Sequence, residues 1–347
     1  TFKDVCNLRS PQQHTGVVHS SNLCTEITLN TNQDEIAVCN LGSVNLTHHI
    51  KDGKMDEEKL EKTINTAIRM LDNVIDINYY AVKAAETSNM LHRPIGLGIM
   101  GFHDALYMLE TPYASEEAVE FADRSMEMVS YFAIKASSDL AKERGAYKSY
   151  EGSLWSQGIL PIDSIKLLKE SRGENYLDVD ESSTMDWDSL RKTVKKQGMR
   201  NSNVMAIAPT ATIASITGAY ECIEPQLSNL FKRETLSGEF LQINPYLVKK
   251  LKELNLWTDE IKKTIKIGEG SIQNIDQIPA HIKTLFRTVW EIPQKSLIDM
   301  ATQRGAFIDQ SQSLNLFIEN PTIGKLSSMY LYAWKKGLKS LYYCRSK

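Results

Sequence analysis

Residues 20–29 read SSNLCTEITL and set an amide at Asn22, a thiol at Cys24 and a carboxylate at Glu26, with Leu23 and Thr25 between them. In an extended backbone, side chains alternate between two faces, so these three groups share one. A hydrogen-bonding amide, a reactive sulfur and a base then stand within reach of one small substrate. The same alternation fits a half-buried strand whose thiol is only a small hydrophobe, and the pattern alone leaves both readings open.

Working outward, residues 22–46 read as strand and turn: CTEITL, the reversal NTNQDE, then IAVCNL. A helix follows over about 56–77, opened by Asp56, with Leu60, Ile64, Ala67, Leu71 and Val74 at helical spacing. RPIGLGIMGFHDAL reads as a glycine-spaced turn running into an apolar helix at about 97–110. Ser115 caps the next helix, whose core stripe runs from Val119 to Leu140. Residues 145–188 read as a polar surface excursion with a short helix near 162–171. NVMAIAPT reads as a buried strand emptying into a loop at Pro209. Helices follow at about 245–255, 258–266, 280–289, 294–304 and 322–336, and LYYC closes as a short strand. Strands alternating with helices give an α/β fold with mostly parallel pairing, and no linker or repeat divides the chain.

The 347 residues are 42% hydrophobic and 24% charged, as in ordinary soluble proteins, and the net charge of −3 provides no general grip on nucleic acid or membrane. No apolar run approaches the roughly 20 residues that span a bilayer. The first ten residues, TFKDVCNLRS, carry no signal-peptide pattern. Cysteines at 6, 24, 39, 222 and 344 form neither a CxxC pair nor a dense disulfide framework. Such a sparse, odd set fits a reducing cytoplasm, so a cytoplasmic location is expected, away from membrane and DNA.

APTATIASITGAYECIEP is the second unusual stretch. Thr210, Ala211, Thr212 and Ile213 follow a strand and lead into a helix start, where exposed backbone N–H groups attract phosphate; an ordinary capped turn fits equally well. Cys24 and Cys39 lie fifteen positions apart around a reversal and share one space if the two strands pair. Metal binding needs more ligands at short spacing than these segments hold. His19, His48, His49 and His103 read as structural. Tyr342 and Tyr343 are adjacent; a strand sends one to the core and one to the surface, and a redox relay through stacked phenols is the functional alternative.

Seven stretches together carry a resemblance: SSNLCTEI, DEIAVCNLGSVNL, HRPIGLGIMGF, GMRNS with APTATIAS, IEPQLSNLFKRETLSGEF, RGAFIDQSQSLNLF and KKGLKSLYY. In order and over nearly the whole chain, they resemble the catalytic large subunit of class I ribonucleotide reductase. The resemblance implies an α/β fold, the second half of a ten-stranded α/β barrel flanked by helices. The radical cysteine then sits on a finger loop at about 18–30, and the half-barrel covers about 31–347. It implies that Cys24 becomes the thiyl radical that takes the ribose 3′-hydrogen, that Glu26 accepts the 3′-hydroxyl proton, and that Asn22 orients the sugar. Ser21 joins the substrate site. Cys39 matches the reducing cysteine, Thr210, Ala211, Thr212 and Ile213 the diphosphate loop, and Tyr342 and Tyr343 the tyrosine pair that relays the radical. The pair favours class I over the adenosylcobalamin-dependent relatives.

The implied substrate is a ribonucleoside diphosphate. The chain itself is expected to hold no cofactor or metal: a metal-containing small (beta) subunit delivers a protein radical, and thioredoxin or glutaredoxin is the external reductant. The resemblance departs at both ends. Almost nothing precedes the radical loop, and no tail cysteine pair follows Tyr343, only Cys344. The expectation is therefore the C-terminal half of a split or truncated catalytic subunit, without the N-terminal half-barrel and ATP-binding domain. It needs that N-terminal half as partner, works in an oligomer and is inactive alone. A remnant that binds the radical subunit without catalysis is the other reading. Cys6 reads as structural, and Arg304, Asp309 and Ser311 have no assigned role.

Overall fold

A computed structural model describes residues 1–235 and 238–347, leaving aside the side chains of residues 174, 233–235 and 240. Leu236 and Ser237, part of the IEPQLSNLFKRETLSGEF stretch, lie outside the described residues. The backbone of the sheet is a row of parallel segments. Strand β1 (Asn40–Asn45) pairs with β2 (Ile95–Met100), Asn40 facing Ile95 and Asn45 facing Met100. Leu97 of β2 bridges in parallel to Met205, and Ile207 bridges in parallel to Gln312. Past an antiparallel hairpin of β3 (Leu230–Thr235) and β4 (Gly238–Ile243), strand β5 (Leu316–Ile318) pairs in parallel with β6 (Cys344–Ser346). Five segments, around residues 40, 95, 205, 312 and 344, thus lie side by side in chain order.

Helices make the crossovers that parallel neighbours require. Helix α1 (Glu57–Ile77) starts where Asp56 accepts a 3.1 Å hydrogen bond from the Lys59 N–H, and it buries Leu60, Ile64, Ile68, Leu71 and Ile75. Helix α2 (Glu116–Arg144) starts at Ser115, whose hydroxyl accepts from the Ala118 N–H at 3.1 Å. It packs against α1 and against α4 (Gln294–Gly305), with the short α3 (Ala211–Thr217) between them in sequence and α5 (Ile323–Lys335) after them. A smaller apolar cluster, including Leu247, Leu251, Ile261, Ile265 and Phe286, lies under residues 245–286. Among the described residues, no helix is long and apolar enough to cross a membrane.

Three sequence expectations change. Residues 22–29 and 36–39 are not strands; the ladder begins at Asn40. The glycine-spaced stretch 95–100 is a fully buried strand rather than a turn. Its glycines serve close approach: a Cβ on Gly98 would fall 2.5 Å from the Ala206 carbonyl oxygen, and one on Gly96 would fall 2.8 Å from the Ala206 Cβ. A tight backbone contact mimics turn composition in sequence. The excursion 145–188 is tied down more firmly than its polarity implies. Fully buried Glu127 of α2 accepts hydrogen bonds from the Thr184 N–H and hydroxyl, the Met185 N–H and the Trp187 indole. Trp187 then opens a helix, Trp187–Gln197, that the sequence reading missed, as it did Lys83–His92.

Candidate active site

The loop around Cys24 is a turn. Thr25 takes the left-handed conformation at φ +66°, and its N–H reaches back to the Asn22 carbonyl at 3.2 Å. Asn22 and Glu26 therefore meet directly, the Asn22 amide donating to Glu26 Oε2 at 2.9 Å, while Leu23 at the tip is 77% exposed. Asn22 and Glu26 thus meet across a turn and not by strand alternation, while the Cys24 thiol faces Tyr342. The Asn22 oxygen accepts from the Ile27 N–H at 3.2 Å, and Ser21 Oγ donates to the Ile27 carbonyl at 2.6 Å. Glu26 is buried.

Side chains and backbone of the sheet hold this turn by its main chain. Ser313 Oγ donates to the Cys24 carbonyl at 2.5 Å and lies 3.2 Å from Glu26 Oε2. Ser340 Oγ donates to the Thr25 carbonyl at 2.7 Å, and the Ser311 hydroxyl meets it at 2.6 Å. The Ser311 N–H donates to the Glu26 carbonyl at 2.9 Å. Three successive carbonyls of the turn are thus each anchored to residues more than 280 positions away in sequence.

Tyr342 and Tyr343 sit just ahead of β6 with ring centroids 4.0 Å apart and planes inclined by 31°. The Tyr342 hydroxyl lies 3.5 Å from Cys24 Sγ. That contact, and then the contact with Tyr343, hold the Tyr342 phenol above its ordinary range. Tyr343 is 46% exposed, so the three residues form a line from the surface to the turn. The tyrosines are fixed by main-chain bonds, Tyr342 N–H to the Leu314 carbonyl at 2.8 Å and Tyr343 N–H to the Asn315 side-chain oxygen at 3.0 Å.

Cys39 precedes β1 and is partly buried. Burial pushes its thiol up to about 12; a hydrogen bond from Gln310 acts in the opposite direction, while Asp309 and Glu26 raise it further. Thr210 and its neighbours behave differently from one another. Thr210 is buried at φ +57°, and its hydroxyl accepts from the Cys222 N–H at 2.7 Å, a structural commitment. Ala211, Thr212 and Ile213 form the exposed first turn of α3, where backbone N–H groups lack intrahelical acceptors.

The sequence reading missed Gln310, Ser313 and Ser340 and gave Ser311 no role. The available signal was the polar run DQSQS between AFI and LNLF, in which Asp309 to Ser313 are all buried. Buried polar residues need partners, and here the partners are the turn and the neighbouring segments. Asp309 accepts from the Val204 and Met205 N–H groups at 2.7 and 3.0 Å. Lys339, beside the tyrosines, donates to the Ile308 and Asp309 carbonyls. Burial lowers its ammonium pKa and raises that of the Asp309 carboxyl.

The family model for the ribonucleotide reductase barrel domain matches residues 1–344. The chain is 56% identical over 347 residues to the ribonucleoside-diphosphate reductase subunit alpha of Chlamydia pneumoniae, covering all of this chain and 33% of that protein. It is 45% identical over 346 residues to the ribonucleoside-diphosphate reductase large chain of Schizosaccharomyces pombe, covering 99% of this chain and 41% of that one. The class Id ribonucleotide reductase alpha subunit of Actinobacillus ureae superposes with a TM-score of 0.77 at 29% identity, over the whole of this chain and 57% of that one. The chain therefore spans about a third to two fifths of the length of these curated relatives. Its architecture is of the α/β barrel type, and the chain belongs to the ribonucleotide reductase barrel-domain family.

Proposed function

We propose that this chain carries the radical chemistry of ribonucleotide reduction, converting ribonucleoside diphosphates to 2′-deoxyribonucleotides as the C-terminal part of a class I catalytic subunit. The observation that supports this most is the line from exposed Tyr343 through Tyr342 to Cys24, with Glu26 and Asn22 joined on the same turn. In this reading residues 18–30 are the finger loop and residues 31–347 the second half of a ten-stranded barrel. The N-terminal half of the subunit closes the barrel; among the described residues β1 pairs with β2 alone.

A radical-generating small subunit, which holds the metal, meets the chain at Tyr343, and the tyrosine pair passes the oxidation to Cys24. Cys24 takes the ribose 3′-hydrogen, Glu26 accepts the 3′-hydroxyl proton, and Asn22 and Ser21 position the sugar. A positioned carboxylate speeds such a step by about 10²–10⁴-fold. Cys39 supplies reducing equivalents, restored by thioredoxin or glutaredoxin. The first-turn N–H groups of Ala211, Thr212 and Ile213 after Thr210 hold the diphosphate, as helix starts favour anions.

The test is ribonucleoside diphosphate reduction by this chain with a radical subunit and dithiothreitol, with and without a polypeptide carrying the N-terminal half-barrel. Turnover that requires the added half and vanishes with Cys24→Ser is expected. Turnover that survives Cys24→Ser would sink the reading.

A further inference from the structure

Gln310 is fully buried, and both N–H donors and the oxygen of its carboxamide are engaged. Its oxygen accepts from the Thr28 N–H at 3.2 Å; its nitrogen donates to the Ile95 carbonyl at 3.0 Å and to Cys39 Sγ at 3.3 Å. The orientation is forced. Flipping the amide would set its NH₂ against the Thr28 N–H and its oxygen against the Ile95 carbonyl, costing two buried hydrogen bonds. One N–H is therefore aimed at the sulfur by two backbone anchors, one on the catalytic turn's continuation and one on β2.

We propose that Gln310 is a positioning residue that holds a fixed N–H donor on Cys39 and thereby favours the sulfur when it carries negative charge. The inference deepens the proposed function, in which Cys39 is the reducing cysteine. When a disulfide at Cys39 is reduced by an external dithiol, the attacking thiolate bonds to the partner sulfur. Cys39 Sγ then leaves with the electron pair of the S–S bond, takes up one proton, and the dithiol ends oxidised. A donor on Sγ stabilises that leaving group, as hydrogen bonds to a charged form favour it. The surroundings oppose it, since burial and the carboxyl groups of Asp309 and Glu26 all disfavour the thiolate. Gln310 is the group that acts the other way.

The experiment reads ionisation without turnover. In the full chain carrying Cys344→Ser, which removes the exposed thiol, iodoacetamide labelling of Cys39 is followed against pH by peptide mass spectrometry. Buried Cys6 and Cys222 stay unlabelled while the fold persists and so serve as an internal control. Gln310→Met should raise the labelling midpoint, slowing labelling about tenfold at a given lower pH for each unit of rise. Gln310→Glu keeps an acceptor for the Thr28 N–H, removes the donor and should raise the midpoint further. An unchanged midpoint in a folded variant overturns the proposal. Should both variants unfold, the wild-type chain decides: the Gln310 Nε2–H resonance must move with the same midpoint as Cys39 labelling, and a silent resonance overturns it. A shifted midpoint without nucleotide reduction in any mixture would reject the proposed function and leave Gln310's role standing; turnover with an unchanged midpoint would do the reverse.

Discussion

The Tyr342 hydroxyl oxygen lies 3.5 Å from Cys24 Sγ, although the two residues are 318 positions apart. Folding thus brings a phenol and a thiol into contact at the end of a closely packed, tilted tyrosine pair. Removing that one hydroxyl tests what the contact does. Tyr342→Phe keeps the ring, so unfolding free energy should stay within about 0.5 kcal/mol of the parent. Turnover with the radical subunit should fall to background, while Tyr79→Phe, at an 87% exposed ring, should change neither. Denaturant unfolding and a reduction assay on the same preparations read both. Turnover retained in Tyr342→Phe would remove the phenol from the path.

The hydroxyl anchors of the turn predict a graded loss. Ser313→Ala deletes the donor to the Cys24 carbonyl and the contact with Glu26, and Ser340→Ala deletes the donor to the Thr25 carbonyl. Each should cost about 1 kcal/mol of stability. If the same free energy appears in the barrier, turnover falls about fivefold to tenfold. The double variant should lose more than the sum, since both hold one turn. Strict additivity would mean that the two serines act on separate structures.

The spacing of the sheet is tested at Gly98. A Cβ there would lie 2.5 Å from the Ala206 carbonyl oxygen and 3.0 Å from the Ile207 Cα, both backbone atoms with no room to yield. Gly98→Ala should destabilise by about 1–3 kcal/mol or more. The readout is the midpoint of urea unfolding. Gly324→Ala, where nothing lies within 4 Å of the added atom, is the matched control and should be near neutral.

Acid sensitivity should trace in part to His103. The imidazole is fully buried, its Nδ1 accepting from the Gln226 N–H at 2.8 Å, and burial drives it down to about 3 from its ordinary 6.5. Between those values the unfolded chain binds a proton that the folded chain refuses. Stability therefore falls as pH drops from about 6.5 toward 3 and is fully present above that window. His103→Phe should flatten this slope, even though it costs about 1–3 kcal/mol at neutral pH by stranding the Gln226 N–H. An unaltered slope across pH 4–6.5 would show that other groups carry the acid response.

Legibility in the sequence followed the range of the interactions. The capped helices were plain because their signals are local: Asp56 and Ser115 precede apolar stripes of the right period. The closing strand exists but was placed too early, at LYYC, and it shares only Cys344 with the observed Cys344–Ser346. Gly96 and Gly98 misled because the reasons for them are distant in sequence, Leu41 and Ala206 at Gly96 and the Ala206 backbone at Gly98, and not a local turn. Asn22, Cys24 and Glu26 were found as a group, but their geometry depends on left-handed Thr25, a conformation that a β-branched residue rarely advertises. Ser311, Ser313 and Ser340 were silent because a lone serine is unremarkable until its partner, here a carbonyl of the turn, is in place.

That fastening by carbonyls has a consequence for how the site can change. The serines and the Ser311 N–H grip the carbonyls of residues 24–26, and every amino acid offers the same carbonyl. Ser313 also touches the buried Glu26 side chain, so of the two reactive positions 24 is the freer mount. The side chain at 24 can be exchanged by mutation or by an unnatural amino acid while its attachment point stays where it is, so the turn is a ready mount for installing another reactive group beside Tyr342.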